Sequence, residues 1–235
     1  MFIAQNYSPN FSKKQRCKKD IKYVIIHYTG MQSEIESIKR LKDKSSKVSC
    51  HYLVNRKCKV FNMVPDKKIA WHAGKSKWKN FKNLNKTSIG IELVNKGHRF
   101  GYEKFSKKQI QSLISICRIL KKKYRIKNEN FLGHSDIAPL RKIDPGEKFP
   151  WKKLSKNKIG KWYHISKLNF VFSSKKKERY FFENLRKLGY RYFSTNKRRA
   201  QDKKIIKCFQ QHYLPKNVTG KIDEKTFKIS CYLTQ

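Results

Sequence analysis

Apolar residues along this chain follow two different rhythms. YVIIHYT at 23–29 is a short β-branched and aromatic run that ends in polar residues, which predicts a buried strand. HYLVN (51–55) and KVFNMV (59–64) flank a polar turn and predict a hairpin, while SIGIELVN (88–95) predicts a further strand. Elsewhere the spacing is helical. Ser33 followed by Glu36 resembles a capping box for a helix carrying Ile35, Ile38 and Leu41. Ser106 can cap the longer SKKQIQSLISICRILKKKY, with Ile110, Leu113, Ile114, Cys117 and Leu120 on one face. Its lysines at 121–123 fall in the last turn, where they favour the helix dipole. Strands interleaved with helices predict an α/β layer arrangement. Residues 1–20 carry neither rhythm and are expected to form an irregular arm.

After Trp151 the pattern changes to lysine, serine and asparagine with scattered aromatics, which predicts a linker over 156–177. Three amphipathic segments follow, at 178–190, 203–214 and 222–233, with PKNVTG between the last two. They predict a small three-helix unit over 178–235, beside a main domain over 21–155. The whole is expected to be an α/β fold with a mixed central sheet flanked by helices, plus that small C-terminal domain.

Charge changes the picture of possible partners. The 235 residues carry a formal net charge of +42, which attracts any polyanion, whether nucleic acid, anionic lipid or an acidic wall polymer. Lysines outnumber arginines 46 to 12 and are spread over every segment. Sequence-specific nucleic-acid readers favour arginine for its bidentate fork, so diffuse lysine fits an A+T-rich coding bias better, and no specific nucleic acid is expected. The six cysteines, at 17, 50, 58, 117, 208 and 231, form no C-x-x-C pair and suit free thiols. The N-terminus lacks the apolar core of a signal peptide, and no run is long enough to span a bilayer. A cytoplasmic monomer is the expectation, with the periplasm or envelope the alternative if a signal was removed or another export route serves.

Chemistry is concentrated in a few histidines and acids. His27 ends a buried strand and His134 follows the short apolar FL, both positions where loops emerge and sites form. Two imidazoles and one carboxylate, with a position left to water, make the ligand set of a hydrolytic zinc centre. Asp144, before Pro145, can supply the carboxylate, and on spacing alone Asp136 can as well. Such a centre also needs a proton acceptor and a cation for a developing oxyanion. Glu92, inside an apolar strand, is the candidate acceptor, and Lys142 the candidate cation.

The ordered set HYTG, SCHYLVN, WHAG, LNKTSIGIELVN and GHSDIAPLRKIDPG, followed by FPW, resembles the type-2 N-acetylmuramoyl-L-alanine amidases, AmpD/AmiD-like zinc enzymes sharing a fold with peptidoglycan recognition proteins. It covers roughly residues 20–155. The resemblance implies zinc on His27, His134 and Asp144, with Glu92 and Lys142 as the catalytic pair. It also implies cleavage of the amide between the MurNAc lactyl group and L-Ala of a peptidoglycan or muropeptide stem. Trp71, His72, Tyr28, His51, Asn85 and Arg141 are then candidates for lining the substrate groove or supporting the ligands. Cys58 stands where the family usually has a hairpin glycine, so that turn is expected to be built differently. FFENLRKLGY, KKIIKCFQQHY and TGKIDEKTF resemble a three-helix peptidoglycan-binding domain. A non-catalytic recognition protein, or more remotely a basic nucleic-acid binder, is the alternative.

Overall fold

The protein is described by a computed structural model over residues 2–164 and 176–235. Most of the expected linker, 165–175, lies outside the described residues. In chain order the elements are β1 (Ile3–Gln5), β2 (Phe11–Gln15), β3 (Tyr23–Tyr28), α1 (Glu34–Lys42), β4 (Tyr52–Val54) and β5 (Val60–Asn62). Then come β6 (Lys68–Ala70), β7 (Lys77–Trp78), β8 (Phe81–Lys82), β9 (Ser88–Leu93), α2 (Lys107–Tyr124), β10 (Phe131–Gly133) and α3 (His134–Ile137). The chain ends with α4 (Trp151–Lys156), α5 (Lys177–Leu188), α6 (Asp202–Tyr213) and α7 (Glu224–Tyr232).

Six strands make one mixed sheet in the order β1-β5-β4-β9-β3-β10, in which β4 and β5 form the predicted antiparallel hairpin. The central pair β3 and β9 is parallel, with His27 level with Glu92. β3 is covered on two faces, which is why YVII reads as an apolar run. Successive side chains point to opposite faces, so Val24, Ile26, Ile89, Ile91 and Leu93 join the α2 residues Ile110, Leu113, Ile114, Cys117 and Leu120 in one core. Tyr23 and Ile25 face the other way, where they share a second core with Phe181, Phe182 and Phe209 of the C-terminal helices. The same alternation puts His27 on this second face, together with Ser88, Gly90 and Glu92. SIGIEL is therefore apolar toward α2 and small or polar toward the site.

Three expectations need correction. Residues 1–20 are not irregular: β1 pairs with β5 and β2 with β6, and the buried Arg16 donates to the carbonyls of Asp66, Asn85 and Ser88. An arginine with several buried carbonyl partners is a tertiary clamp, which local periodicity does not reveal. Ile35 is 79% exposed, so α1 buries Ser37 and Leu41 and packs Ile38 but leaves Ile35 out, although Ser33 does cap it by accepting from Glu36 N. Cys58 does adopt a left-handed φ of 67°, and Asn55 holds the turn by accepting from Lys59 N at 2.8 Å. A β-carbon there costs about 1–2 kcal/mol, which the hairpin tolerates.

Candidate metal centre

Three buried side chains from distant parts of the chain converge where β3 ends. His27 Nδ1 lies 2.9 Å from His134 Nδ1, and both nitrogens lie 3.0 Å from Asp144 Oδ2. The protons in the surrounding network decide what this triangle is. Ser88 donates its hydroxyl hydrogen to Leu84 O at 2.6 Å, so it can only accept from His72 Nε2, 3.2 Å away. His72 Nδ1 is then bare and accepts from His27 Nε2 at 3.0 Å, which leaves His27 Nδ1 bare in turn. His134 Nε2 lies 3.2 Å from the carbonyl of Ala73 and 3.3 Å from the donor Arg141 Nη2; with the ring proton on Nε2, directed at the carbonyl, its Nδ1 is bare as well. Two nitrogen lone pairs and a carboxylate oxygen thus face one another with no proton between them. Such an arrangement is repulsive unless a cation sits among the three, and the donor set suits a divalent metal.

Electrostatics favour the same state. Burial and the neighbouring His134 lower His27 to about 4, keeping its ring neutral at physiological pH. Burial, then His27 and His51, hold His72 well below the ordinary histidine range. Burial alone would push Asp144 up, but His134 and His27 hold it far below the carboxylate range, so it is charged.

A cavity of about 750 Å³ opens over this triangle, lined among others by Tyr28, Arg40, Trp71, His72, Glu92 and Lys142. Burial, reinforced by repulsion from Asp144, raises Glu92 to about 8, and Lys142 offsets this only in part. Its Oε2 is out of solvent and has no hydrogen-bond partner among the described residues. A carboxyl kept in a cavity without a partner is costly as structure and suited to exchanging a proton with something bound there.

The remaining sequence candidates divide into those that reach the cavity and those behind it. Trp71 lines it while its Nε1 donates to Ser12 Oγ at 3.0 Å, tying the wall to β2. Arg141 also lines it, but its guanidinium is engaged with the carbonyls of Ala73 and Lys75. It clamps the loop that carries the His134 acceptor. His51 and Asn85 do not line the cavity. His51 is fully buried, with Nδ1 accepting from Gly90 N at 3.0 Å, and lowered to about 3 by burial and Arg16. Asn85 accepts from the backbone N–H groups of His72 and Ala73, fixing the same loop from beneath. Asp136 stays out of the triangle; its carboxylate caps α3 by accepting from Gly133 N. What sequence reasoning missed is the far rim, where His98 joins Tyr28 OH at 2.9 Å to Glu147 at 3.1 Å and stacks on Tyr102. The paired glycines of GHRFGY were the available signal for a shaped loop there.

Comparison with known proteins agrees with this architecture. The profile of the Amidase_2 family, described as N-acetylmuramoyl-L-alanine amidase, matches residues 18–147. N-acetylmuramoyl-L-alanine amidase AmiD of Escherichia coli (strain K12) is 37% identical over 227 residues, covering 89% of this chain and 81% of that protein. The structure of Escherichia coli AmiD with anhydro-N-acetylmuramic acid-L-Ala-D-gamma-Glu-L-Lys superposes with a TM-score of 0.82 at 33% identity, over 94% of this chain and 91% of that one. AmpDh3 of Pseudomonas aeruginosa in complex with anhydromuramic pentapeptide gives a TM-score of 0.81 at 29% identity, over 96% and 95% of the two chains. With the profile spanning more than half of its residues and that identity running through most of its length, the chain belongs to the N-acetylmuramoyl-L-alanine amidase family.

Proposed function

We propose that this protein is a zinc-dependent hydrolase of the amide between the MurNAc lactyl group and L-Ala in muropeptides, with His27, His134 and Asp144 holding the metal. The observation that carries the proposal is the triangle of bare lone pairs at 2.9–3.0 Å beside an unpartnered glutamate. Zinc held by such a ligand set would supply Lewis acidity, enough to bring the pKa of a water it binds to about 7.

The chain's own groups supply the rest. Glu92, which a divalent cation in the site would hold ionised, takes the proton of the attacking water, and the proton affinity that burial gives it suits a group that must also hand the proton on. Lys142 lines the same cavity, and its ammonium forms no hydrogen bond or ion pair among the described residues, so it is free to hold the developing carbonyl oxyanion. Arg40 and Arg99 stand at the cavity wall as counter-charges for the carboxylates of a stem peptide. Trp71 offers a flat apolar surface to a sugar ring, and residues 178–235 form a peptidoglycan-binding-like unit. Among the described residues no helix is long and apolar enough to cross a membrane.

Titrating chelated protein with zinc tests the reading. One equivalent is expected to bind, new α-amino groups are expected to appear from muropeptide in step with it, and Asp144→Ala is expected to lose both. Full release of amine by the chelated protein would overturn it.

A further inference from the structure

The loop from Gly133 to Glu147 delivers His134, Lys142 and Asp144 to the site, and its underside rests on the C-terminal helices. Asp136, only 1% exposed, accepts three hydrogen bonds. One comes from Gly133 N at 2.7 Å, capping α3, whose first residue is His134. The other two come from beyond the linker: Tyr190 OH at 2.6 Å and His212 Nδ1 at 2.8 Å. Both donors are themselves fixed. His212 lies flat on the Trp151 indole, with centroids 3.9 Å apart and planes 10° from parallel, and Tyr190 meets Trp78 edge-on at 4.9 Å.

The contact continues along one face of α6. Cys208 Sγ points at the carbonyls of Pro139 and Lys142, at 3.7 and 3.9 Å, and Gln211 donates to Glu147 at 3.3 Å. Residues 208, 211 and 212 are spaced i, i+3 and i+4, so a single helical stripe follows the loop from Asp136 to Glu147. Ile205 and Phe209, which flank this stripe on α6, belong to the core shared with Tyr23, Ile25 and Leu132 of the sheet. The helices are therefore built into the wall of the site.

We propose that Tyr190 and His212 are positioning residues for the metal ligand His134. They hold the Asp136 carboxylate from just past the end of α5 and from α6, and so fix the turn from which His134 Nδ1 is aimed. This rests on the metal reading above. Outer partners of metal ligands commonly change affinity by 10–100-fold, and this carboxylate acts one step further out, through the backbone of α3.

The test uses the full chain, with Tyr190→Phe, His212→Phe and the double variant, and exposed Lys204→Ala on the same helix as control. Zinc dissociation constants are read by chelator competition, melting temperatures with and without zinc, and amide exchange at His134 and Ser135 in the metal-free protein. Each single variant is expected to weaken zinc binding on the order of tenfold and to speed that exchange, and the double variant to do more. His212→Asn, whose amide nitrogen can replace the Nδ1 donor, is expected to recover most of the loss. Tyr190→Phe removes a single oxygen and so keeps the question open to refutation even where His212→Phe folds poorly. Variants that melt earlier by the same amount with and without zinc, at unchanged zinc affinity, would overturn the proposal and leave the contact merely structural. Wild-type protein that binds no zinc would overturn the metal reading itself.

Discussion

His27 and His134 present the same atom, Nδ1, to the same point, but different parts of the chain aim them. His27 stands on the central strand β3, and its ring is oriented through His72 of the loop after β6, Ser88 of β9 and the carbonyl of Leu84 just before β9. His134 stands on a single turn of helix, with Ala73 O accepting from its ring and Asp136 capping its backbone under the grip of Tyr190 and His212. A six-residue strand hydrogen-bonded on both sides fixes its side chains directly. A four-residue turn cannot do this alone, so the surrounding chain must hold it.

Removing either imidazole should erase the difference between the two sides. His27→Ala and His134→Ala are both expected to lower zinc affinity by roughly 100-fold or more, beyond the range for outer partners, as measured by chelator competition. Disturbing only the strand side should separate them. A β-carbon at Gly90 would stand 2.3 Å from His72 Cγ, so Gly90→Ala is expected to displace that ring and with it the proton arrangement that leaves His27 Nδ1 bare. His72→Phe, which keeps the bulk but removes the acceptor, is expected to weaken zinc binding ~10-fold. In both variants exchange at the His134 amide should stay as in the wild type, whereas breaking the Asp136 contacts should quicken it.

A smaller effect is expected from pH in the metal-free protein. Glu92 has an ordinary value of 4.5 in the unfolded chain and about 8 in the fold, so the folded state keeps a proton that the unfolded state releases between these values. Its contribution to stability is present below pH 4.5 and is lost as pH rises through about 8. Denaturation at pH 5 and pH 8 should show wild type losing on the order of 1–3 kcal/mol relative to Glu92→Gln over that window. Least of all, Ser88→Ala removes both hydrogen bonds of that hydroxyl, to Leu84 O and from His72 Nε2, and is expected to cost about 1–2 kcal/mol of stability, with a smaller loss of zinc affinity than His72→Phe.

The strand side was the more legible in sequence. YVIIHYT and SIGIELVN announce buried strands, and the alternation of SIGIEL already separates core positions from Ser88, Gly90 and Glu92. The helix over 107–124 and its cap at Ser106 were readable for the same reason, since every contact that selects them repeats at a fixed local spacing. The three metal-binding candidates were legible through motif order, and the structure brings His27, His134 and Asp144 into one cluster. What sequence could not give was support from far along the chain. Arg16 bonds to residues 50 to 72 positions away, and His212 lies 76 from Asp136, separations that leave no periodicity to read. His98 was missed because its partners, Tyr28 and Glu147, lie 70 and 49 residues from it. Asp136 looked equal to Asp144 as a ligand because spacing cannot tell a carboxylate that faces the site from one that faces the protein.

The most direct measurement is mass spectrometry of the products from intact and anhydro muropeptides, treated with zinc-loaded protein, chelated protein and zinc-loaded Glu92→Gln. Stem peptides with a free L-Ala amine are expected from the first and not from the other two. No such peptide from the zinc-loaded protein, or equal release after chelation or by Glu92→Gln, would contradict a metal-dependent amidase with Glu92 as its proton acceptor.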